Sequence, residues 1–514
     1  MPSRHILFLV LIIVVAIFFR FWQFDAIPPG LYQDEAMNGA DALKTLETGD
    51  FRLFYTNNNG REGMIVWLDA LAIKLFGTEP WILRVFPAIT GVLAVLGLYF
   101  LTKELFSVEV ALASSFFMAT GFWAVNFSRI GFRAGLMVPF LIWSFYFLIR
   151  GFNLTTSDVV NKLRCRMSDF IIAGVLFGLG FYTYISYRFA PVLVAAVFIP
   201  YLIKYGNKKL WTGFLSFVVA AFIIALPIGL YFLNNSGDFL GRSGQVAIWS
   251  AENPLKAAAV SIASTLGMFN IIGDFNWRHN YSGSPELFWP VGILFLLGIY
   301  LSFKKFSFSE KFILTWLGIF LLPNILTVEG NPHALRALGA MPAAMIFSGI
   351  GLVWLYEKIM RYDLVNFLRD RISLTIFLAI FLFFISFSEY NKYFVRWAGN
   401  PKTAEAFSQN QVEISDYLNN LPKDAKKYVI WSADDKPTDN GLPVSAQTVY
   451  FLTYGKSNIY YLKANEIGKI ELGKKSTIIV PIYFDTDLLR GLQKKYPNSR
   501  IEIIELNAGA VVVP

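Results

Sequence analysis

The stretch LWTGFLSFVVAAFIIALPIGLYFL, residues 210–233, contains no Asp, Glu, Lys or Arg and follows directly on Lys204, Lys208 and Lys209. A spanning helix needs roughly 20 mostly apolar residues, and only a helix or a closed barrel satisfies its own backbone in lipid. This run therefore reads as a transmembrane helix. Working outward, similar runs lie near residues 6–24, 81–101, 108–127, 134–148, 170–187, 190–203, 287–303, 312–328, 337–356 and 374–387, about eleven in all. The first lacks a small-residue cleavage site and leads into Phe24, Asp25 and Pro28-Pro29, so it reads as an uncleaved anchor. Composition agrees: 55% hydrophobic, 17% aromatic and 16% charged residues, with a mean hydropathy of +0.50, describe a chain whose solvent is lipid.

Lys and Arg resist translocation, so their distribution over short loops sets the orientation. One alternate set of loops holds Arg4, Lys103, Arg150 with Lys162, Arg164 and Arg166, Lys204 with Lys208 and Lys209, Lys304, Lys305 and Lys311, then Lys358, Arg361, Arg369 and Arg371. That set is expected in the cytoplasm with the N-terminus. The opposite set is 25–80, 128–133, 187–189, 234–286, 329–336 and everything after about 390. The net charge of +9 is spread between the apolar runs rather than gathered in a patch or tail, which argues against nucleic acid as a partner. One cysteine, Cys165, excludes an internal disulfide framework, and with three histidines it cannot build a thiolate zinc site.

Residues 391–514 change character, with frequent charges and short apolar bursts, and read as a separate extracytoplasmic α/β domain beside a membrane part at 1–390. Helical spacing is expected over 403–421 and 487–496, the latter capped by Asp485 or Thr486, and strands at 428–431, 448–452, 476–483, 501–506 and 510–513. Asp434-Asp435 follows a strand and reads as a solvated turn, with sugar or cation binding as the alternative.

The first extracytoplasmic loop, 25–80, is too long for a plain connector and carries two short amphipathic helices. Asp34 and Glu35 open one, whose Ala36, Met37, Ala40, Leu43 and Leu46 recur at helical spacing until Gly49. Glu62 opens the second, through Met64, Ile65, Trp67, Leu68, Leu71 and Leu75 to Gly77, which suits the membrane interface. The N–H groups and dipole of a helix N-terminus favour an anion, which suits Asp34 as a proton acceptor. Such a weak base is what the acceptor hydroxyl needs when a sugar leaves a phosphate through an oxocarbenium-like state. The competing reading is plain helix capping.

The order of these features resembles the GT-C superfamily of membrane glycosyltransferases, especially the family of protein O-mannosyltransferases and the lipid A aminoarabinose transferase. The likeness begins in YQDEAMNGADALKTLETGDF and continues through GREGMIVWLDALAIKLFG and WILRVFPAITGVLAVLGLYFLTKELF; it is good over 28–139, patchy to about 342, and absent after that. It implies Asp34 of the Asp34-Glu35 pair as catalytic base and Glu62 as the second loop acid. Many bacterial relatives follow that acid with Lys-Pro-Pro, whereas Gly63-Met64 follow here. No tryptophan-tryptophan-aspartate signature of oligosaccharyltransferases is present, which disfavours en bloc glycan transfer.

A lipid phosphate needs positive charge on the same membrane face. Arg129, Arg133, Arg188, Arg278 and Arg336 are the candidates, with Arg133, Arg188 and Arg336 favoured, and Arg61, His279 and His333 stand near them; snorkelling to the interface is the alternative for each arginine. No cofactor is required. Asp34, Glu62, Asp274, His279 and His333 could converge on a divalent cation, but no ligand spacing marks one and no metal ligand is assigned. Asn126-Phe-Ser128 and Asn280-Tyr-Ser282 match the glycosylation sequon, a common chance pattern. The expected activity is an inverting transfer from a polyprenyl-phosphate sugar to a hydroxyl of a glycan, lipid or protein, in a bacterial plasma membrane, with Glu35 and Glu62 orienting the acceptor or the sugar hydroxyls. The rival is a transporter or flippase of a lipid-linked saccharide, which should place ionisable groups at the span centres; these are nearly free of them.

Overall fold

The computed structural model describes residues 2–153, 166–245, 247–362, 371–473, 475–505 and 508–514. Lys162, Arg164, Cys165 and Arg369 lie outside the described residues. Each of the eleven apolar runs carries a helix, and these helices build a multi-pass bundle around one large apolar core. Among the described residues, seven are long and apolar enough to cross a bilayer, with an eighth if Val108–Thr120 and Phe122–Arg129 count as one bent span. His5–Phe21 and Met167–Gly180 are apolar but shorter, and Trp289–Lys305 has 17 residues. The length test thus passes fewer spans than the eleven expected.

The 56° bend at Gly121 exposes backbone groups that a continuous helix would pair, and charged side chains take them up. Glu389 accepts the Phe122 N–H (2.9 Å), and Arg20 donates to the carbonyls of Ala119 (2.9 Å) and Met118 (3.1 Å). Both side chains are buried because their partners are.

The first loop folds as a helix, Gln33–Thr48, a two-stranded hairpin of β1 (Phe54–Tyr55) and β2 (Arg61–Glu62), and a second helix, Met64–Phe76. Gly49 ends the first helix with left-handed backbone (φ 72°), as its position suggested. Glu62 does not open the second helix. Gly63 precedes Met64 at the helix start, and a Cβ there would stand 2.4 Å from the Arg52 carbonyl, so the chain stays in the hairpin up to Glu62.

After Tyr390 the chain builds a five-stranded sheet from β3 (Lys426–Trp431), β4 (Ile459–Lys463), β5 (Thr477–Pro481), β6 (Arg500–Glu505) and β7 (Ala508–Val513), in the order β4-β3-β5-β7-β6. β4, β3 and β5 run parallel, and β7 pairs antiparallel with β5 and β6. Alternate residues face opposite sides: Val429 joins Ile414 and Leu418, whereas Tyr428 and Ile430 join Leu489 and Leu492. The helix expected at 403–421 is broken at Ser408, where the backbone is left-handed (φ 53°). Asp485 caps Thr486–Lys495 through the N–H groups of Asp487 and Leu488. The strand expected at 448–452 is instead the helix Gln447–Leu452, and the half-exposed edge strand β4 was not foreseen. As a helix this segment seats the Thr448 hydroxyl on the Leu31 carbonyl (3.1 Å) and the Phe451 ring against Gly39, so packing on the first loop overrides local β propensity. Asp435 accepts from the Ser445 hydroxyl (2.5 Å), within the loop that follows β3.

Candidate active site

The first-loop helix, the β1–β2 hairpin, the segments at 132–134 and 274–279 and the turn at 329–336 enclose a cavity of about 400 Å³. Asp34 lines it from the first turn of its helix, half-buried. Capping is the work of its neighbour: Glu35 Oε2 accepts the Tyr32 N–H (3.2 Å). Asp34 Oδ1 instead accepts from the Asn58 side chain of the hairpin tip at 2.7 Å.

Arg61, Arg133, Arg278 and Arg336 line the same cavity, as do His279 and His333. Two of the arginines are fixed by buried acids. Arg61 donates to Asp41 and to Asn38 Oδ1 (2.5 Å), and Arg133 Nε lies 3.1 Å from Glu62. Burial pushes the Asp41 carboxyl upward while Arg61 pulls it back. Arg278 lies over the Tyr32 ring at 4.0 Å and donates to Asn276 Oδ1 (3.2 Å). Arg336 donates to Thr327 Oγ1 (2.9 Å) and to the Glu329 carbonyl, with the exposed Glu329 carboxylate 3.8 Å away.

Four expected site residues lie elsewhere. Glu35 is fully buried: it accepts from Arg84 Nε (3.0 Å), Arg84 Nη2 (3.2 Å) and the Gly131 N–H (2.7 Å), so it locks the loop and does not face the cavity. Glu62 is buried between Arg133 and Arg188 (3.8 Å) and acts on the site through Arg133. Arg129 donates to the carbonyls of Phe19, Trp22, Gln23 and Ile27, so its charge is spent on the end of the first helix. Arg188 stacks on Phe239 (4.0 Å) and Phe232 (4.9 Å) and donates to the Phe239 carbonyl (2.7 Å), away from the cavity.

Asp274, His279 and His333 offer ligand atoms within 4.8 Å of one another, so three of the five residues considered for a cation come together without Asp34 or Glu62. Asp274 Oδ2 lies 2.9 Å from His279 Nδ1 and 3.8 Å from His333 Nδ1, and it also accepts the Ala334 N–H (2.8 Å). One carboxylate and two imidazoles suit a divalent transition metal; the same contacts tie the 274–279 segment to the 333–334 turn. Both sequon asparagines are structural: Asn126 donates to the Arg278 (2.8 Å) and His279 (3.1 Å) carbonyls, and Asn280 is fully buried.

A family model described as dolichyl-phosphate-mannose-protein mannosyltransferase matches residues 63–231. Among solved structures, ArnT from Cupriavidus metallidurans bound to undecaprenyl phosphate aligns over 99% of this chain and 97% of its own, at 12% identity and a TM-score of 0.59. The apo oligosaccharyltransferase of Archaeoglobus fulgidus aligns over 88% of this chain and 64% of its own, at 16% identity and a TM-score of 0.55. The fold is that of ArnT and of the archaeal oligosaccharyltransferase. No curated protein matches the sequence. The ArnT alignment extends over the C-terminal sheet, where sequence likeness gave nothing.

Sequence reasoning missed Arg84, Tyr32, Asn38 and Asn58. Arg84 sits at the start of an apolar run and reads as a snorkelling residue until its partner Glu35, 49 residues away, is in place. The run Asn57-Asn58-Asn59-Gly60 is a strong turn signal that could have flagged the hairpin.

Proposed function

We propose that the protein transfers a sugar from a polyprenyl-phosphate donor to an acceptor hydroxyl, with inversion, and that Asp34 is the general base. The observation that carries this is the sharing of one cavity by the Asp34 carboxylate and four arginines. Arg61 and Arg133 already hold buried acids, so Arg278 and Arg336 are the stronger phosphate partners. In the transfer, Asp34 takes the proton of the acceptor hydroxyl as its oxygen bonds to the anomeric carbon. The bond from that carbon to the phosphate oxygen breaks on the opposite face, and the lipid phosphate leaves as an anion beside the arginines. Undecaprenyl phosphate bound to ArnT, which has the same fold, supports a donor of this class. The acceptor is a glycan, lipid or protein, and the chemistry requires no cofactor; in this reading the Asp274 cluster holds two loops together.

The lysine and arginine bias of the loops supports a cytoplasmic N-terminus, a cavity on the outer face of a bacterial plasma membrane, and a C-terminal domain at 391–514 on that face. Mixing purified protein with radiolabelled polyprenyl-phosphate sugars and candidate acceptors tests the reading. Asp34→Asn should slow transfer by roughly 10²–10⁴. Transfer at the wild-type rate by this variant removes Asp34 from the chemistry.

A further inference from the structure

The hairpin tip directs three consecutive asparagines to three places. Asn57 donates to Asp41 (3.3 Å) and accepts the Asp439 N–H (3.1 Å). Asn58 donates to Asp34. Asn59 faces a second cavity, of about 180 Å³, between the hairpin and the helix Ser236–Gln245. Left-handed backbone at Asn58 (φ 51°), Asn59 (φ 64°) and Gly60 (φ 82°) forms this turn. The hairpin is therefore a wall with a cavity on each side, and Asn58 and Asn59 face opposite ways across it.

The two cavities differ in charge. The first is lined by four arginines and two histidines against three carboxylates, Asp34, Asp274 and Glu329; the second, among the described residues, by no cation and one carboxylate, Asp238. The Asp238 carboxylate disfavours an anionic phosphate there. A neutral ligand rich in hydroxyls fits instead: Asp238 accepts hydroxyl donors, as its Oδ2 does from Tyr231 (2.7 Å), while the exposed Asn59 and Thr56 both donate and accept. Phe54 supplies an apolar face. Among the described residues, a Cβ at Gly237 or Gly241 would meet nothing within 4 Å, which leaves room on the helix side. The volume lies below the roughly 300–1,000 Å³ of a drug-sized pocket, which suits one small ring.

We propose that this second cavity is an acceptor subsite for a saccharide ring, read by Asn59 and Asp238, with the acceptor glycan rounding the hairpin tip at Asn58 so that a hydroxyl on a following ring reaches Asp34. This rests on the transferase reading above and narrows its acceptor to a glycan. A serine or threonine peptide carries no hydroxylated ring and has no use for this cavity.

The test uses full-length protein in lipid nanodiscs with methyl α-mannopyranoside and methyl β-glucopyranoside as probes, read by saturation-transfer NMR. Wild type and Asp34→Asn should saturate the glycoside ring protons. Gly241→Leu, which fills the cavity, and the pair Asn59→Gly with Asp238→Asn, which removes its polar groups, should lose that signal at an unchanged melting midpoint. Asn59→Gly keeps the left-handed turn, so it serves if Gly241→Leu fails to fold. With a glycan acceptor, the same variants should raise acceptor KM about tenfold or more, leaving donor KM and kcat within about twofold. Undiminished saturation in the variants, or saturation of a Gly-Ser-Gly peptide in place of the glycosides, overturns the subsite. Because binding is read without turnover, a wild-type protein that binds the glycosides yet transfers no sugar to any acceptor sinks the transferase reading alone.

Discussion

Replacing Glu35 with alanine separates a structural acid from a catalytic one. Neither Glu35 nor Arg84 retains any side-chain exposure, and the carboxylate accepts from Arg84 at 3.0 and 3.2 Å and from the N–H groups of Gly131 and Tyr32. In the variant the Arg84 guanidinium keeps the carbonyls of Pro28 (2.7 Å) and Gly30 (2.8 Å) and the Phe407 ring (5.8 Å) but loses its carboxylate. Losing one partner of a buried pair costs about 3–5 kcal/mol. Glu35→Ala should therefore lower the melting midpoint and the folded yield in detergent, whereas Asp34→Asn, on a half-exposed carboxylate, should melt like wild type while inactive. Glu35→Leu combined with Arg84→Met should recover most of the lost stability, because two apolar side chains replace the pair without an orphaned charge. A Glu35→Ala protein that melts like wild type yet has lost transfer refutes this reasoning and returns Glu35 to the chemistry.

Arg278→Ala removes a cation facing the cavity, so donor KM should rise about ten- to hundredfold while kcat changes little; an unchanged donor KM moves the phosphate to another arginine. Gly39→Val places a Cβ 2.6 Å from the Phe451 ring, an overpacking worth about 1–3 kcal/mol, and should speed amide exchange over residues 447–454; unaltered exchange shows that the contact does not hold the C-terminal sheet on the loop. Asp69 is buried in the second loop helix and, among the described residues, neither carboxylate oxygen has a hydrogen-bond partner; burial first, and then the Glu35 charge, hold its carboxyl well above the usual range. The folded state then binds a proton that the unfolded state releases, so this residue costs stability as pH rises above about 4. Asp69→Asn should remove that slope and raise the neutral-pH melting midpoint; a lower midpoint gives the ionised group a role the fold does not show.

Legibility followed the range of the interactions. Apolar runs such as 210–233 are read locally, because each spanning helix satisfies its own backbone and needs only length and composition. The Gly49 stop and the Asp485 cap are local as well, and both stand where the sequence put them. The helix at 447–452 was misread because its conformation depends on Leu31 and Gly39, some four hundred residues earlier. The break at Gly121 gave no local sign either, since its free N–H is met by Glu389, 267 residues on.

The site obeys the same rule at closer range. A carboxylate beside a helix start is equally a cap or a base in sequence, and Asp34 and Glu35 occupy neighbouring positions in one turn. What divides their roles is which of them meets Arg84, and that arginine reaches Glu35 only after the loop has closed on the next span. The arginines divide in the same way: Arg129 faces four carbonyls and Arg278 faces a ring and a cavity, although in sequence both are phosphate candidates. Charge alone therefore could not separate the arginines that hold backbone from those that line the cavity. Asp41 and Glu62 engage Arg61 and Arg133, and Arg336 keeps its near partners Thr327 and Glu329. The proposed phosphate role falls on Arg278 and Arg336 beside Asp34, the carboxylate of the Asp34-Glu35 pair that lines their cavity.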